Sequence, residues 1–537
     1  MDLTHAAAPS QPTHAMNGMS QPNTLTPSTE ATPDQPVFDA TRRTVIMGAG
    51  PAGLTAAYEL MRYGLPTVTL EKDPRFVGGI SRTEECNGYR FDIGGHRFFS
   101  KSQEVEDFWT EILGEEMLVR GRLSRIFYKG KYFDYPLKAS NALLNMGPVE
   151  TVRCISSYVW ARLFPTRHPT NLEEWVTNQF GHRLFNIFFK TYTEKVWGIS
   201  TKELSADWAA QRIKGLNLTE AIKGALLPQK KPKGGDRSAV IKTLIDEFRY
   251  PRRGPGEMWE RVTQRLREGG NIVALGQEVL SVRHDGHRVS EIVVRDGDTG
   301  QTGAVTGAHF ISTLPIRELI HRLEPAPPPG VVAAADQLKY RDFISIAVVI
   351  NRENVFPDNW IYIHDPTVKV GRMQNFKSWS PYMVPDQRTT CLGLEYFCFE
   401  GDGLWTSSDD DLVDLARREM AQLGMCKPEE VLWGVVVRQP KAYPVYDDTY
   451  KQHLAVIRQW VEATLPNLAL VGRNGMHHYN NQDHSMMTAL LAARNIATGS
   501  HFDPWKVNTD AEYHEEARFD EEDTSGRQMP KLARVEK

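Results

Sequence analysis

The pattern of apolar and polar positions divides the chain before any motif is considered. Residues 44 to 47, Thr-Val-Ile-Met, form a short β-prone run that ends at once in glycines. From residue 51 to 63 the period changes. Leu54, Ala57, Tyr58 and Met61 fall at i, i+3, i+4 and i+7, which is one face of an α-helix. Gly64 follows, where a glycine commonly ends a helix. Residues 67 to 70, Thr-Val-Thr-Leu, give a second strand, so the segment predicts a βαβ unit. Further on, residues 141 to 215 carry Trp and Phe repeatedly three or four apart and predict helices. Residues 270 to 314 alternate and predict strands, the last being the apolar run Phe310-Ile311-Ser312-Thr313-Leu314 before Pro315. Strands are expected at 342–350 and 389–398, and helices at 409–423 and 454–465. A short buried strand at 468–471 and a last helix at 485–499 complete the pattern.

The turn of the βαβ unit carries chemistry. Gly48-Ala49-Gly50-Pro51-Ala52-Gly53 fits GxGxxG between a strand and a helix, the context that the motif requires. The first glycine allows a tight turn, the second lets the backbone approach a pyrophosphate, and the third lets helix and strand pack closely. Free N–H groups at the positive helix end then receive the phosphates. Glu71 closes the second strand, where an acid can accept hydrogen bonds from ribose hydroxyls.

Composition sets outer limits. A chain of 537 residues is long for one core and predicts two domains or more. Residues 1 to about 40, rich in Pro, Ser, Thr, Ala and Gln, are expected to be disordered, and the charged stretch from about Asn508 reads as a tail. With 63 basic and 67 acidic residues the net charge is -4, which argues against a nucleic-acid-binding face. The five cysteines are scattered without CxxC spacing, so reduced thiols in a cytoplasmic protein are expected, and no metal site. No apolar run is long enough for a transmembrane segment, and the N-terminus does not read as a secretory signal.

Two further glycine turns follow Glu71: Gly78-Gly79-Ile80-Ser81-Arg82-Thr83 and Phe91-Asp92-Ile93-Gly94-Gly95-His96. In that order, with Val471-Gly472-Arg473 late in the chain, they resemble the flavin amine oxidase and protoporphyrinogen oxidase superfamily. The resemblance implies an α/β fold: a Rossmann-like FAD-binding domain of the GR2 type with an inserted substrate domain of mixed helices and β-sheet. It implies FAD held by Gly48, Gly50, Ala52, Gly53, Glu71, Lys72, Gly79, Ser81, Arg82, Gly95, His96, Val279, Gly472, Arg473, Asp483, His484 and Ser485. A helix starting near Asp483 would direct its positive end at the flavin pyrimidine ring, stabilising an anionic reduced flavin.

Longer stretches narrow the resemblance. The run from Asn171-Leu172-Glu173-Glu174 through Tyr192-Thr193-Glu194-Lys195-Val196-Trp197 to Lys202-Glu203-Leu204 and Arg212 resembles the substrate domain of UDP-galactopyranose mutases. Asn481-Gln482-Asp483-His484-Ser485 is similar to a segment of the eukaryotic mutases, and Gly94-Gly95-His96 before Phe99-Ser100 to their mobile histidine loop. Tyr250-Pro251-Arg252-Arg253-Gly254-Pro255-Gly256 is similar to their arginine–glycine stretch. The likeness covers about residues 43 to 500. It implies interconversion of pyranose and furanose rings through a reduced-flavin N5 adduct, with a nucleotide sugar as substrate and NAD(P)H as a candidate reductant. Arg212 and Arg372 match diphosphate-binding arginines, and His96 would lie over the flavin; these three are the catalytic candidates. Trp197, Tyr362, Tyr443, Tyr479 and Asn481 match sugar- or phosphate-binding positions. One departure stands out: Trp379 occupies the place of a phosphate-binding tyrosine, and an indole offers a single N–H.

The expected segments are a tail at 1–40, FAD-binding parts at 41–130, 246–320 and 456–505, a helical substrate segment at 131–245, a substrate-domain sheet at 321–455, and a charged tail at 506–537. A competing function is a flavin oxidoreductase acting on an amine, porphyrinogen or polyene. It needs the same FAD domain but an apolar channel in place of paired arginines. Oligomeric state is left open.

Overall fold

The computed structural model describes residues 42–135, 137, 139–204, 206 and 247–508. The expected N-terminal tail, the charged tail beyond Asn508 and Arg212 lie outside the described residues.

The first strand, Thr44–Met47, and the helix Pro51–Arg62 form as the periodicity predicts, and the chain returns in the strand Thr67–Leu70. The two strands pair in parallel from Thr44 opposite Thr67 to Met47 opposite Leu70. Three distant strands complete a five-stranded parallel sheet in the order Leu468–Leu470, His309–Ser312, Thr44–Met47, Thr67–Leu70, Ile272–Ala274. Every residue of the two first strands is buried, the threonines Thr44, Thr67 and Thr69 included. One face of the sheet is covered by the helices Pro51–Arg62, Gln103–Leu113, Gly256–Glu268 and Gln482–Thr498, with Leu54, Trp109, Trp259 and Met486 in the shared core. The other face packs on a four-stranded sheet, largely residues 277–306, and on the helix Tyr450–Thr464.

A second body is built on a seven-stranded sheet in the order Val431–Pro444, Tyr340–Ile350, Thr390–Cys398, Arg372–Asn375, Trp360–Ile363, Ser124–Tyr128, Lys131–Asp134. The boundary expected at residue 130 therefore falls inside a hairpin of this sheet. Ser124–Tyr128 pairs in parallel with Trp360–Ile363, a partner more than two hundred residues away, and local periodicity carries no trace of it. Helices Pro148–Leu163 and Leu172–Phe180 lie beside it. They lead into a π-helical turn, Asn186–Lys190, and the short helix Thr191–Trp197.

Among the described residues no helix is long and apolar enough to cross a membrane, and no cluster of side chains could hold a metal ion. All five cysteines are free.

Candidate active site

The glycine turn at the end of the first strand is shaped by contacts that only glycine permits. Gly48 has φ +101°, and a Cβ there would lie 2.1 Å from Thr313 Oγ1. A Cβ on Gly53 would lie 1.9 Å from the Gly48 carbonyl oxygen, so this glycine sets how closely helix and strand approach. Gly50 is different. Its backbone is extended, and a Cβ would meet nothing within 4 Å. It caps the helix without a side chain for the first-turn N–H groups, Pro51 follows at N1, and Ala52 is buried behind it. The positive helix end therefore opens onto a cradle that a side chain would fill.

The second glycine turn docks on the first. Gly78 N–H donates to the Ala49 carbonyl at 2.8 Å, and a Cβ on Gly79 would lie 3.5 Å from Gly50 Cα. Glu71 braces the same loop: its carboxylate accepts from Ala49 N–H at 2.8 Å and Asp73 N–H at 3.0 Å, and burial raises its pKa. Ser81 is buried in a 3-10 turn, Gly79–Ser81. Arg82 donates to Glu84 at 3.0 Å and to the Gly79 carbonyl at 3.1 Å. Lys72 points outward and pairs with Glu278 at 3.0 Å, and Val279 is buried with its carbonyl accepting from Arg322 Nε at 2.9 Å. A Cβ on Gly472 would lie 3.0 Å from Ala52 Cβ, which brings the late segment against the first helix.

These residues fit a dinucleotide: an open cradle, an uncapped helix end and an acid one strand away. At the far end, Gly94 has φ +94°, and His96 Nδ1 lies 3.1 Å from the Gly94 carbonyl. Burial, and then the charge of Arg473, holds the His96 imidazole down to about 3, so the ring is neutral. The loop rests on a buried clamp in which Asp92 accepts from Thr83 Oγ1 at 2.8 Å and from the Tyr250 hydroxyl. Burial pushes the Asp92 carboxyl up to about 7. The last helix, Gln482–Thr498, begins nearby at Asn481, whose N–H donates to His484 Nδ1 at 3.3 Å. Asp483 accepts from Ser100 Oγ at 3.2 Å, and Ser485 is buried in the helix's first turn.

The third group comes from the large sheet. Tyr362, Arg372 and Glu395 stand opposite one another on three adjacent strands. Arg372 donates to Glu395 in a two-pronged ion pair, with Nε at 2.8 Å, and to the Tyr443 hydroxyl at 3.1 Å. The Tyr443 and Tyr479 rings stack at 5.6 Å, and Trp197 lies 6.3 Å from Tyr479. The Arg473 guanidinium sits 5.4 Å from the Tyr443 ring and 5.2 Å from the Tyr479 ring, anchored on the Asn480 and Ala442 carbonyls at 2.8 and 3.0 Å. Burial pushes the Tyr443 hydroxyl up to about 12, so it stays a proton donor.

His96, Trp197, Tyr362, Arg372, Tyr443, Arg473 and Tyr479 thus belong to one neighbourhood, reached from both bodies of the fold. Two members were not among the expected site residues. Glu395 is the buried counter-ion of Arg372, on a strand whose pattern reads as core. Tyr192 lies 5.4 Å from Tyr362 and stacks on His364 at 4.9 Å; its place just before Trp197 in the helical run was the available signal. Trp379 is fully buried: its indole N–H donates to the Asn359 carbonyl at 2.8 Å and its ring stacks on Trp360 at 5.2 Å. It supports the histidine loop, since a Cβ on Gly95 would meet it at 3.6 Å.

A parallel-sheet dinucleotide cradle joined to a second sheet that presents an arginine–tyrosine cluster defines the class. The chain belongs to the flavin-containing amine oxidoreductase family, whose profile matches residues 51–497, and its cofactor is a flavin. Among solved structures it is similar to a reduced UDP-galactopyranose mutase, with a TM-score of 0.72 and 22% identity over 86% of this chain and 94% of that one. A putrescine oxidase variant aligns with a TM-score of 0.56 and 16% identity, over 86% of this chain and 99% of that one. At these identities the likeness establishes the fold. Among curated sequences, an uncharacterized protein of Methanothermococcus thermolithotrophicus from the nifH2 3' region is 44% identical over 52 residues. That is 10% of this chain, which spans 49% of that relative's length.

Proposed function

We propose that this protein is an FAD-dependent nucleotide-sugar mutase, interconverting the pyranose and furanose forms of a sugar. The observation that carries the reading is the charge of the site. The side chains that act most strongly on Arg372 are one carboxylate, Glu395, and the hydroxyls of Tyr443, Tyr192 and Tyr362. Arg473 stands beside them, and among the described residues its hydrogen bonds go to the Asn480 and Ala442 carbonyls. Two guanidinium groups against one carboxylate leave a positive, tyrosine-lined site. Such a site attracts a diphosphate and repels the ammonium group of an amine substrate.

FAD would lie with its pyrophosphate over Gly50, its ribose toward Glu71 and its flavin between His96 and the start of the helix Gln482–Thr498. Bound and reduced, it would supply a nucleophilic N5 for the anomeric carbon, with NAD(P)H as a candidate reductant. The chain's own groups do the rest. Arg372, pre-oriented by Glu395 through Nε and Nη2, offers its Nη1 N–H groups to the leaving diphosphate. Arg212 is the second arginine expected there. Tyr362, Tyr443 and Tyr479 offer hydroxyls, that of Tyr443 held protonated by burial, Trp197 packs against the sugar, and neutral His96 can accept or donate one hydrogen bond without adding charge. The free cysteines accord with a reducing cytoplasm.

Membership of an oxidoreductase family favours a second reading, flavin-dependent oxidation of a flat or apolar substrate packed against the stacked Tyr443 and Tyr479 rings. The discriminating experiment incubates reduced enzyme with a panel of nucleotide sugars and follows the products by chromatography. The mutase reading expects one nucleotide sugar to convert partly into an isomer of the same mass. Oxidation of an amine or polyene, with every nucleotide sugar unchanged, would refute it.

A further inference from the structure

We propose that the helix Pro148–Leu163 docks the protein on an anionic lipid surface. This inference is independent of the catalytic reading. The helix turns Cys154 and Ala161 inward, seven residues apart, and Cys154 packs in a cluster with Phe133, Ile187 and Phe188. Its opposite side is apolar and faces solvent. Val149, Val152, Ile155, Val159, Trp160 and Leu163, with Phe164 just beyond, are between 47% and 67% exposed. They recur at three- and four-residue spacing, so they form one stripe, interrupted by exposed Ser156, rather than scattered exposed side chains. The Trp160 and Phe164 rings lie 4.5 Å apart at its C-terminal end.

The charges decide what the stripe faces. Arg153 borders it beside Val149 and Trp160, and Arg162 borders the other edge beside Ile155 and Val159. Arg167 and His168 follow in the exposed segment after the helix. Residues 147 to 169 contain a single acid, Glu150. That carboxylate is held in a two-pronged pair with Arg183, one contact at 2.9 Å, which keeps its pKa low and cancels its charge locally. An apolar stripe carrying Trp, Phe and Leu, with arginines on both rims, matches an amphipathic helix lying in a bilayer interface over anionic headgroups. A second copy is a poorer occupant. Two stripes meeting across a two-fold axis would bring arginine rims together, with Glu150, already held by Arg183 and 3.7 Å from Arg153, the one acid of residues 147 to 169 to receive them.

Flotation of the full-length flavoprotein with vesicles tests this. The protein should float with phosphatidylcholine vesicles containing phosphatidylglycerol and stay behind with phosphatidylcholine alone. Replacing Val152, Trp160 and Leu163 together (Val152→Asn, Trp160→Gln, Leu163→Asn) should abolish flotation while melting temperature and flavin content stay unchanged, since these side chains contribute to no core. Arg153→Gln with Arg162→Gln should weaken vesicle binding by about fivefold per arginine. Failure of the wild-type protein to float would overturn the proposal, as would a triple variant that floats equally well. A dimer that the triple variant dissociates, with no vesicle binding, would assign the stripe to self-association instead.

Discussion

Gly50 and Arg372 carry most of the account at the scale of single residues. Because Gly50 has extended backbone and open space beyond its Cα, Gly50→Val should fold normally yet purify colourless, its side chain occupying the pyrophosphate cradle. A variant with full flavin content would show that the dinucleotide lies elsewhere. Arg372 has two tasks that can be separated. Arg372→Ala should weaken UDP binding by roughly 30- to 1,000-fold, about 2 to 4 kcal/mol, and should also lower the melting temperature by stranding the buried Glu395 carboxylate. Adding Glu395→Gln should restore the melting temperature without restoring UDP binding. Recovery of both would mean that Arg372 only holds the sheet together. Calorimetric titration and thermal melts distinguish these outcomes. At this scale the sequence was legible where a motif constrains the backbone, as at Gly48 and Gly53, whose close approaches leave no room for a Cβ. It was less so where a role depends on a partner. Lys72 follows the acid Glu71 but turns away to Glu278, and Glu395 is hidden among the apolar residues of its strand.

At the scale of elements, the buried clamp under the histidine loop makes a prediction about pH. Asp92 is raised to about 7 from an ordinary value of 3.8, so between these values the folded protein holds a proton that the unfolded chain releases. The stability it contributes is complete below about pH 4 and is lost as pH rises through about 7. Asp92→Asn should therefore flatten the fall in melting temperature between pH 5 and pH 8. An unchanged pH dependence would mean that the clamp does not titrate in this range. Elements with strong local period were legible to within a few residues: the strands Thr44–Met47 and Thr67–Leu70, the helix Asp409–Gln422 and the last helix all stand where the pattern puts them. Strand partners were not. The parallel pairing of Ser124–Tyr128 with Trp360–Ile363 depends on a long-range contact that no local window contains, and it moves the edge of the first segment.

At the scale of the whole molecule, one sheet carries the glycine cradle and the other the arginine–tyrosine cluster, so the proposed reaction would be decided where they meet. Fold alone leaves that decision open, because the same architecture aligns with both a mutase and an amine oxidase. What separates them is electron bookkeeping. A mutase needs reduced flavin yet regenerates it in every cycle, whereas an oxidase passes two electrons to an acceptor for each product. The most direct measurement follows product formation and acceptor consumption together, with and without UDP. The account predicts product without stoichiometric acceptor consumption, and inhibition by UDP that Arg372→Ala relieves. One acceptor reduced per product, with no effect of UDP, would contradict it.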